Sequence, residues 1–131
     1  MDAGTLNLGG GTGSITTSGG VQSHLHVNGD VTLNLASANL TYLWLKSGGG
    51  APAQLSITNG QTMTAVITHL ASLTASGQST LNLNGGTFNA GTMVFNVSAG
   101  AYTNTFNLNS GGLLTADNIR RDFDGSSVTF N

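Results

Sequence analysis

The sequence contains no glutamate and no cysteine, and lysine and proline occur once each, as Lys46 and Pro52. Charged residues make up only 6% of the 131 positions, against about 25% in an ordinary soluble domain. Each shortage excludes something. Exposed helix faces are usually built from Glu, Lys and Arg, which keep their rotamer freedom there, and this chain cannot supply them. The lack of cysteine removes disulfides and thiolate metal sites. Three basic residues cannot neutralise many phosphates, so a nucleic-acid partner is not expected. No apolar run approaches the roughly 18 residues of a membrane-spanning helix. The opening "MDAGTLNLGG" has neither a basic segment nor an apolar one and does not read as a signal peptide.

What is abundant suits strands and turns. There are 20 Gly, 18 Thr and 14 Asn, residues of pleated surfaces and tight turns. Hydrophobic residues make up 38%, enough for a core. The expectation is an all-β chain forming one domain over residues 1–131.

One phrase recurs. Thr5-Leu6-Asn7-Leu8 returns as Thr32-Leu33-Asn34-Leu35, as the degenerate Gln54-Leu55-Ser56-Ile57, as Thr80-Leu81-Asn82-Leu83 and as Thr105-Phe106-Asn107-Leu108, and it begins again at Thr129-Phe130-Asn131. The steps are 27, 22, 26, 25 and 24 residues. A period in the range of about 20–50 residues marks stacked repeats. Without helical composition, each repeat is expected to be one turn of a parallel β-solenoid of about five coils. A β-sandwich also has many short strands, but it does not need the same phrase at this spacing. Parallel crossovers are nearly always right-handed, so a right-handed solenoid is expected.

Alternation assigns the faces. Leu6/Leu8, Leu33/Leu35, Leu55/Ile57, Leu81/Leu83 and Phe106/Leu108 share one strand face and are expected to stack inward. Thr and Asn form the outer columns. Turn signals follow at Gly9-Gly10-Gly11, Asn59-Gly60, Asn84-Gly85-Gly86 and Asn109-Ser110-Gly111-Gly112. A second inward pair comes after them: Met63/Ala65, Phe88/Ala90 and Leu114/Ala116. A third strand through Met93, Phe95 and Val97 suggests a triangular section.

The phrases "STLNLNGGTFNAGTMVF" and "FNLNSGGLLTADNIRRDFDGSSVTFN" resemble the autotransporter-associated β-strand repeats of bacterial surface proteins. The resemblance covers residues 79–131. It implies a parallel β-helical passenger at the cell surface or outside the cell, with a structural or adhesive role and no catalytic residues. The membrane-embedded barrel that completes such proteins is not in this sequence.

Few residues offer chemistry. In His24-Leu25-His26-Val27, inward Leu25 and Val27 would point both imidazoles outward, about 6.5–7 Å apart. A metal there would need a further ligand such as Asp30 or His69; a pair of solvated histidines is the plainer expectation. Asp122-Phe123-Asp124-Gly125 has part of a calcium loop but lacks the later Glu. No cofactor is expected. Arg121 aligns with the inward Phe95. Burying a guanidinium alone is costly, so the expectation is a register shift and an outward bulge, with Arg120 and Arg121 paired to Asp117, Asp122 or Asp124. A polysaccharide-degrading enzyme would need a carboxylate pair in a cleft.

Tyr42 and Trp44 alternate with Leu43 and Leu45. If the aliphatics point inward, the two rings lie side by side outside and offer a possible carbohydrate contact; the opposite register, with the rings buried, is also open. The Thr5, Thr32, Thr80, Thr105 and Thr129 column, interrupted by Gln54, raises ice binding. Its partner column of Asn and Ser is the kind that ladders along stacked strands.

Both ends read as uncapped. Leu6 and Leu8 lie at one end and Val128 and Phe130 at the other, each an expected assembly surface. Either flanking coils of a longer chain cover them, or copies associate head to tail along the axis.

Overall fold

A computed structural model describes residues 4–7, 14–15, 22–27, 30–34, 36–45, 52–70, 76–95, 100–124 and 127–131; of 4–7, 14–15, 30–34 and 76 it describes the backbone. The strands are β1 (Gly4–Asn7), β2 (Ser14–Ile15), β3 (His24–Val27), β4 (Asp30–Asn34), β5 (Ser37–Leu45), β6 (Ala53–Thr58), β7 (Thr62–Leu70), β8 (Ser76–Asn84), β9 (Thr87–Phe95), β10 (Ala101–Leu108), β11 (Leu113–Arg121) and β12 (Ser127–Phe130). Among the described residues there is no helix.

Every strand pairing is parallel. One sheet runs β1-β4-β6-β8-β10-β12 and the other β11-β9-β7-β5-β2, with β3 also on β5. Strands neighbouring in space are separated in sequence by at least one strand of the other sheet. That is a parallel β-solenoid. About three turns, between Ala53 and Arg121, have strands of both sheets with their side chains placed, fewer than the five expected from the phrase spacing.

The phrase forms the first sheet. Leu55, Ile57, Leu81, Leu83 and Phe106 are buried, as their alternation required. The turns that follow stack on one another. Gly60, Gly85 and Gly111 all have φ near +80°, a conformation that costs glycine little and other residues more. The Asn-Gly signals were therefore true turn signals; Gly9-Gly10-Gly11 lies outside the described residues, as do Leu8, Leu35 and Val97.

The second sheet holds the other inward pairs. Met63, Phe88 and Leu114 share one column, and Ala65, Ala90 and Ala116 the next. Alternation then breaks at the same step in each strand. Leu40, Ala65 and Ala90 are buried, the two residues after each are not, and Leu43, Thr68 and Met93 are buried again. The ladder runs through Leu40, Ala65, Ala90 and Ala116 and resumes at Tyr42, Ile67, Thr92 and Asn118. Two successive outward residues turn the strand through a corner. The third strand expected through Met93 and Phe95 is not separate: both lie on β9, beyond this break.

Two expectations need correction. The first is the register of the second phrase. Asp30, Val31 and Thr32 pair with Gln54, Leu55 and Ser56, so Thr32 does not lie over Gln54. Aligning the phrases would leave a 22-residue coil; pairing Asp30 with Gln54 makes it 24 residues, close to the others. Two residues are a full side-chain period, so inside and outside are preserved. The Thr column is broken there: Gln54 leads to Thr80, Thr105 and Thr129, whereas Thr5 and Thr32 lead to Ser56, Asn82 and Asn107.

The second is Leu108. It was expected inside beside Phe106, but it is 46% exposed. It is the last described member of the column Ile57–Leu83–Leu108, and among the described residues no side chain continues that column over it.

Candidate functional site

Two regions carry the groups singled out in the sequence. The first is the outer face of the second sheet beyond its corner. Leu43 and Leu45 are fully buried, and Tyr42 and Trp44 are half-buried on the outside. Val27 is buried and Leu25 packs against the core, which turns His24 and His26 outward. Parallel pairing sets His24 beside Tyr42 and His26 beside Trp44, and Trp44 in turn beside His69.

The rings stack along the solenoid axis. His26 and Trp44 have centroids 5.1 Å apart and planes within 15°. Trp44 and His69 are 5.1 Å apart at 34°. His24 meets Tyr42 edge-on at 4.7 Å. Both broad faces of the indole are thereby occupied by imidazoles. The sequence left open whether Tyr42 and Trp44 lie outside or inside, and it did not bring them together with the histidines, because that depends on which strands become neighbours.

The histidines do not converge. His24 and His26 are 6.1 Å apart, and Trp44 lies between His26 and His69. Among the described residues, no group of three His, Cys, Asp or Glu side chains could hold a metal ion. The side chain of Asp30 lies outside the described residues, and its strand belongs to the other sheet. His24 Nε2 lies 3.3 Å from Gln22 Oε1. His69 is half-buried, and its Nδ1 has no hydrogen-bond partner among the described residues. Burial lowers its pKa below the usual histidine value; the carboxylate of Asp122 works against this, and the charge of Arg120 adds to it.

The second region is the outer end of the last coil. β12 pairs with β10, setting Phe130 on Phe106 with centroids 5.9 Å apart, and Phe130 also meets Phe95 edge-on at 5.6 Å. Val128 packs against the core. The outer side of Phe130 is uncovered, and the ring is 53% exposed. Ile119, in the inward column of Met93, is 46% exposed. Phe95, Ile119, Arg120, Arg121, Val128 and Phe130 line an open hollow of about 260 Å³. At the other end, Leu6 lies on β1, the edge strand of the first sheet, with its backbone paired to Leu33.

Protein families, curated proteins and solved structures offer no match to this chain.

An asparagine ladder runs up the first sheet to the same end. Asn82 donates to Ser56 Oγ at 3.3 Å, Asn107 to Asn82 Oδ1 at 2.7 Å, and Asn131 to Asn107 Oδ1 at 2.8 Å. Each amide donates toward the preceding coil, so a further coil would donate to Asn131 Oδ1.

The charged residues sit beside this end. Arg121 stays in register with Phe95, so the expected shift and bulge do not occur. The guanidinium escapes burial because no coil lies beyond it among the described residues. It donates to Asp124 at 2.7 Å, and Arg120 pairs with Asp122 at 2.9 Å. The expected Arg–Asp pairs therefore form without any shift. Asp117 lies on the corner, beside Gly91.

Proposed function

We propose that this chain is a non-enzymatic structural repeat protein: a right-handed solenoid of five coils that serves as a stalk, fibre or matrix element at the cell surface or outside the cell. It contacts flanking coils or further copies along its axis. The observation that carries the reading is the exposure of apolar columns at the last described coil. Leu108, Ile119 and Phe130 continue columns that are buried in the coils below, yet they face solvent. An apolar column and a backbone edge left open in this way are the surface that one more coil would cover.

The six strands of the first sheet support the five-coil reading, and the general hand of parallel crossovers supports the right-handed one. The resemblance to surface-passenger repeats supports the location and a scaffolding or adhesive role. Less supports a sugar contact at Tyr42 and Trp44, since the indole faces are already covered. Less supports ice binding, since the Thr column is broken between β4 and β6.

Electron microscopy and sedimentation of the concentrated chain test the proposal. The expected outcome is axial association into rods with the ~4.8 Å strand spacing along the axis. Removing 128–131, or placing Lys at Leu6 and Phe130, blocks that association and leaves each subunit folded. A clean monomer at high concentration, in wild type and variants alike, counts against self-association and leaves flanking coils as the partner.

A further inference from the structure

The dipeptide Asn-Gly stands at two described turns, Asn59-Gly60 between β6 and β7 and Asn84-Gly85 between β8 and β9. A third, Asn28-Gly29, lies outside the described residues. Gly60 and Gly85 both have φ near +80°. Such a pair sets an electrophile, the side-chain carbonyl carbon, one residue from a nucleophile, the glycine nitrogen. Glycine has no Cβ to hinder the approach.

The two pairs differ in their surroundings. Asn59 and Gly60 are both exposed, and a Cβ built on Gly60 would meet nothing within 4 Å. Their turn is closed by Gln61 N–H donating to Thr58 O at 3.0 Å. That bond uses neither the carbonyl of Asn59 nor the N–H of Gly60, so the peptide between them can rotate while the turn stays closed. Among the described residues, neither of these groups nor the Asn59 amide takes part in a hydrogen bond. Asn84-Gly85 is held instead. Asn84 Oδ1 accepts from the Asn109 amide at 2.6 Å, and Gly85 forms an antiparallel bridge with Thr58. The neighbouring coil also crowds this turn: a Cβ built on Gly85 would lie 3.3 Å from Asn59 Cβ, and one built on Gly86 would lie 2.7 Å from Thr58 O.

We infer that Asn59 is a site of self-modification in the folded chain, where the Gly60 nitrogen closes on the Asn59 side chain, while the stacked contacts protect Asn84 from the same reaction. The bond from Gly60 N to Asn59 Cγ forms and the Cγ–Nδ2 bond breaks. Nδ2 leaves as ammonia, taking with it the proton of the Gly60 N–H. Water, the one co-reactant, then opens the cyclic imide at either carbonyl, giving aspartate or isoaspartate. Either product places a carboxylate beside Thr58 and Gly85 in a turn that carried no charge. The isoaspartate product also lengthens the backbone of that coil by one carbon.

Ageing the full folded chain in mildly alkaline buffer tests the inference, with heavy-oxygen water present so that each imide hydrolysis leaves a label. Digestion with pepsin in acid and mass spectrometry then read Asn59 and Asn84 in separate peptides. Asn59 should take up label roughly tenfold or more faster than Asn84, because Asn84-Gly85 must first give up a side-chain bond and a backbone bridge. In denaturant the two sites should react at similar rates, which removes sequence context as the cause. Asn109→Ala, checked for folding by circular dichroism, should speed the reaction at Asn84 and leave Asn59 unchanged. Asn59→Gln should abolish the label in its own peptide. Equal rates at the two sites of the folded chain, or a faster Asn84, overturn the inference. So does a folded chain that takes up no label at Asn59 while the denatured chain does, or a difference that persists undiminished in denaturant. If Asn84 stays as slow in Asn109→Ala, the part given to the Asn109 amide fails and the site at Asn59 stands.

Discussion

His69 rests against Trp44, ring centroids 5.1 Å apart, on a strand whose next inward residue, Leu70, is fully buried. Burial lowers the pKa of this imidazole, so the folded state binds its proton less readily than the unfolded state. Between the two pKa values the unfolded chain holds more protons, and stability therefore rises with pH. The contribution is complete above about pH 6.5, the unfolded value, and is lost as pH falls from there through the folded value. Thermal melts of wild type and His69→Gln across this range check it. The difference in melting temperature between the two proteins should shift against wild type on acidification and stay constant above neutrality.

Thr68 is fully buried in an otherwise apolar column between Leu43 and Met93, and its hydroxyl has no hydrogen-bond partner among the described residues. Valine has nearly the same shape without that group. Thr68→Val should stabilise the fold by about 1 kcal/mol, read as a rise in denaturation midpoint at constant slope.

Leu83 and Asn82 are adjacent and face opposite ways. Leu83→Asn should cost several kcal/mol, combining about 1.5–3 kcal/mol of lost burial with an unpaired amide in the core. Asn82→Asp keeps the acceptor used by Asn107 and loses the donor used on Ser56, at a cost of about 1 kcal/mol or less. Equal melting temperatures for the two variants would contradict the assigned faces.

Gly91 stands at the corner. A Cβ built there would lie 2.6 Å from the carbonyl oxygen of Val66, closer than real contacts allow, and backbone cannot swing aside as a flexible side chain can. Gly91→Ala should destabilise by about 1–3 kcal/mol, whereas Val66→Ala, at a side chain 59% exposed, should change little. Denaturant unfolding of the pair measures both.

Much of this was legible because a strand needs only a period of two. Leu55, Ile57, Leu81 and Leu83 declared the interior, whereas Tyr42-Leu43-Trp44-Leu45 alternates between two apolar pairs and left its register open. The corner was not legible: no residue type is common to Thr41-Tyr42, Val66-Ile67, Gly91-Thr92 and Asp117-Asn118, only a position in the stack. The β4–β6 register was missed because identical words were aligned, while the backbone keeps coil length. The ring stack was missed because His24, Tyr42 and His69 meet only through strands far apart in sequence. Arg121 was read as a misfit that would shift the register; it stays in register with Phe95, because among the described residues no coil lies over it and its guanidinium reaches Asp124 instead.

The slip between β4 and β6 bears on how such a chain can change over generations. Repeats that resemble one another invite unequal crossing-over, which inserts or deletes short stretches at their boundaries. A gain or loss of two residues within a strand slides the words along the sheet and leaves every side chain on its proper side. A gain or loss of one would carry a Leu-x-Leu pair to the surface and bring Thr and Asn into the interior. Selection should therefore tolerate length changes inside these strands in even steps, and confine odd ones to the turns and corners.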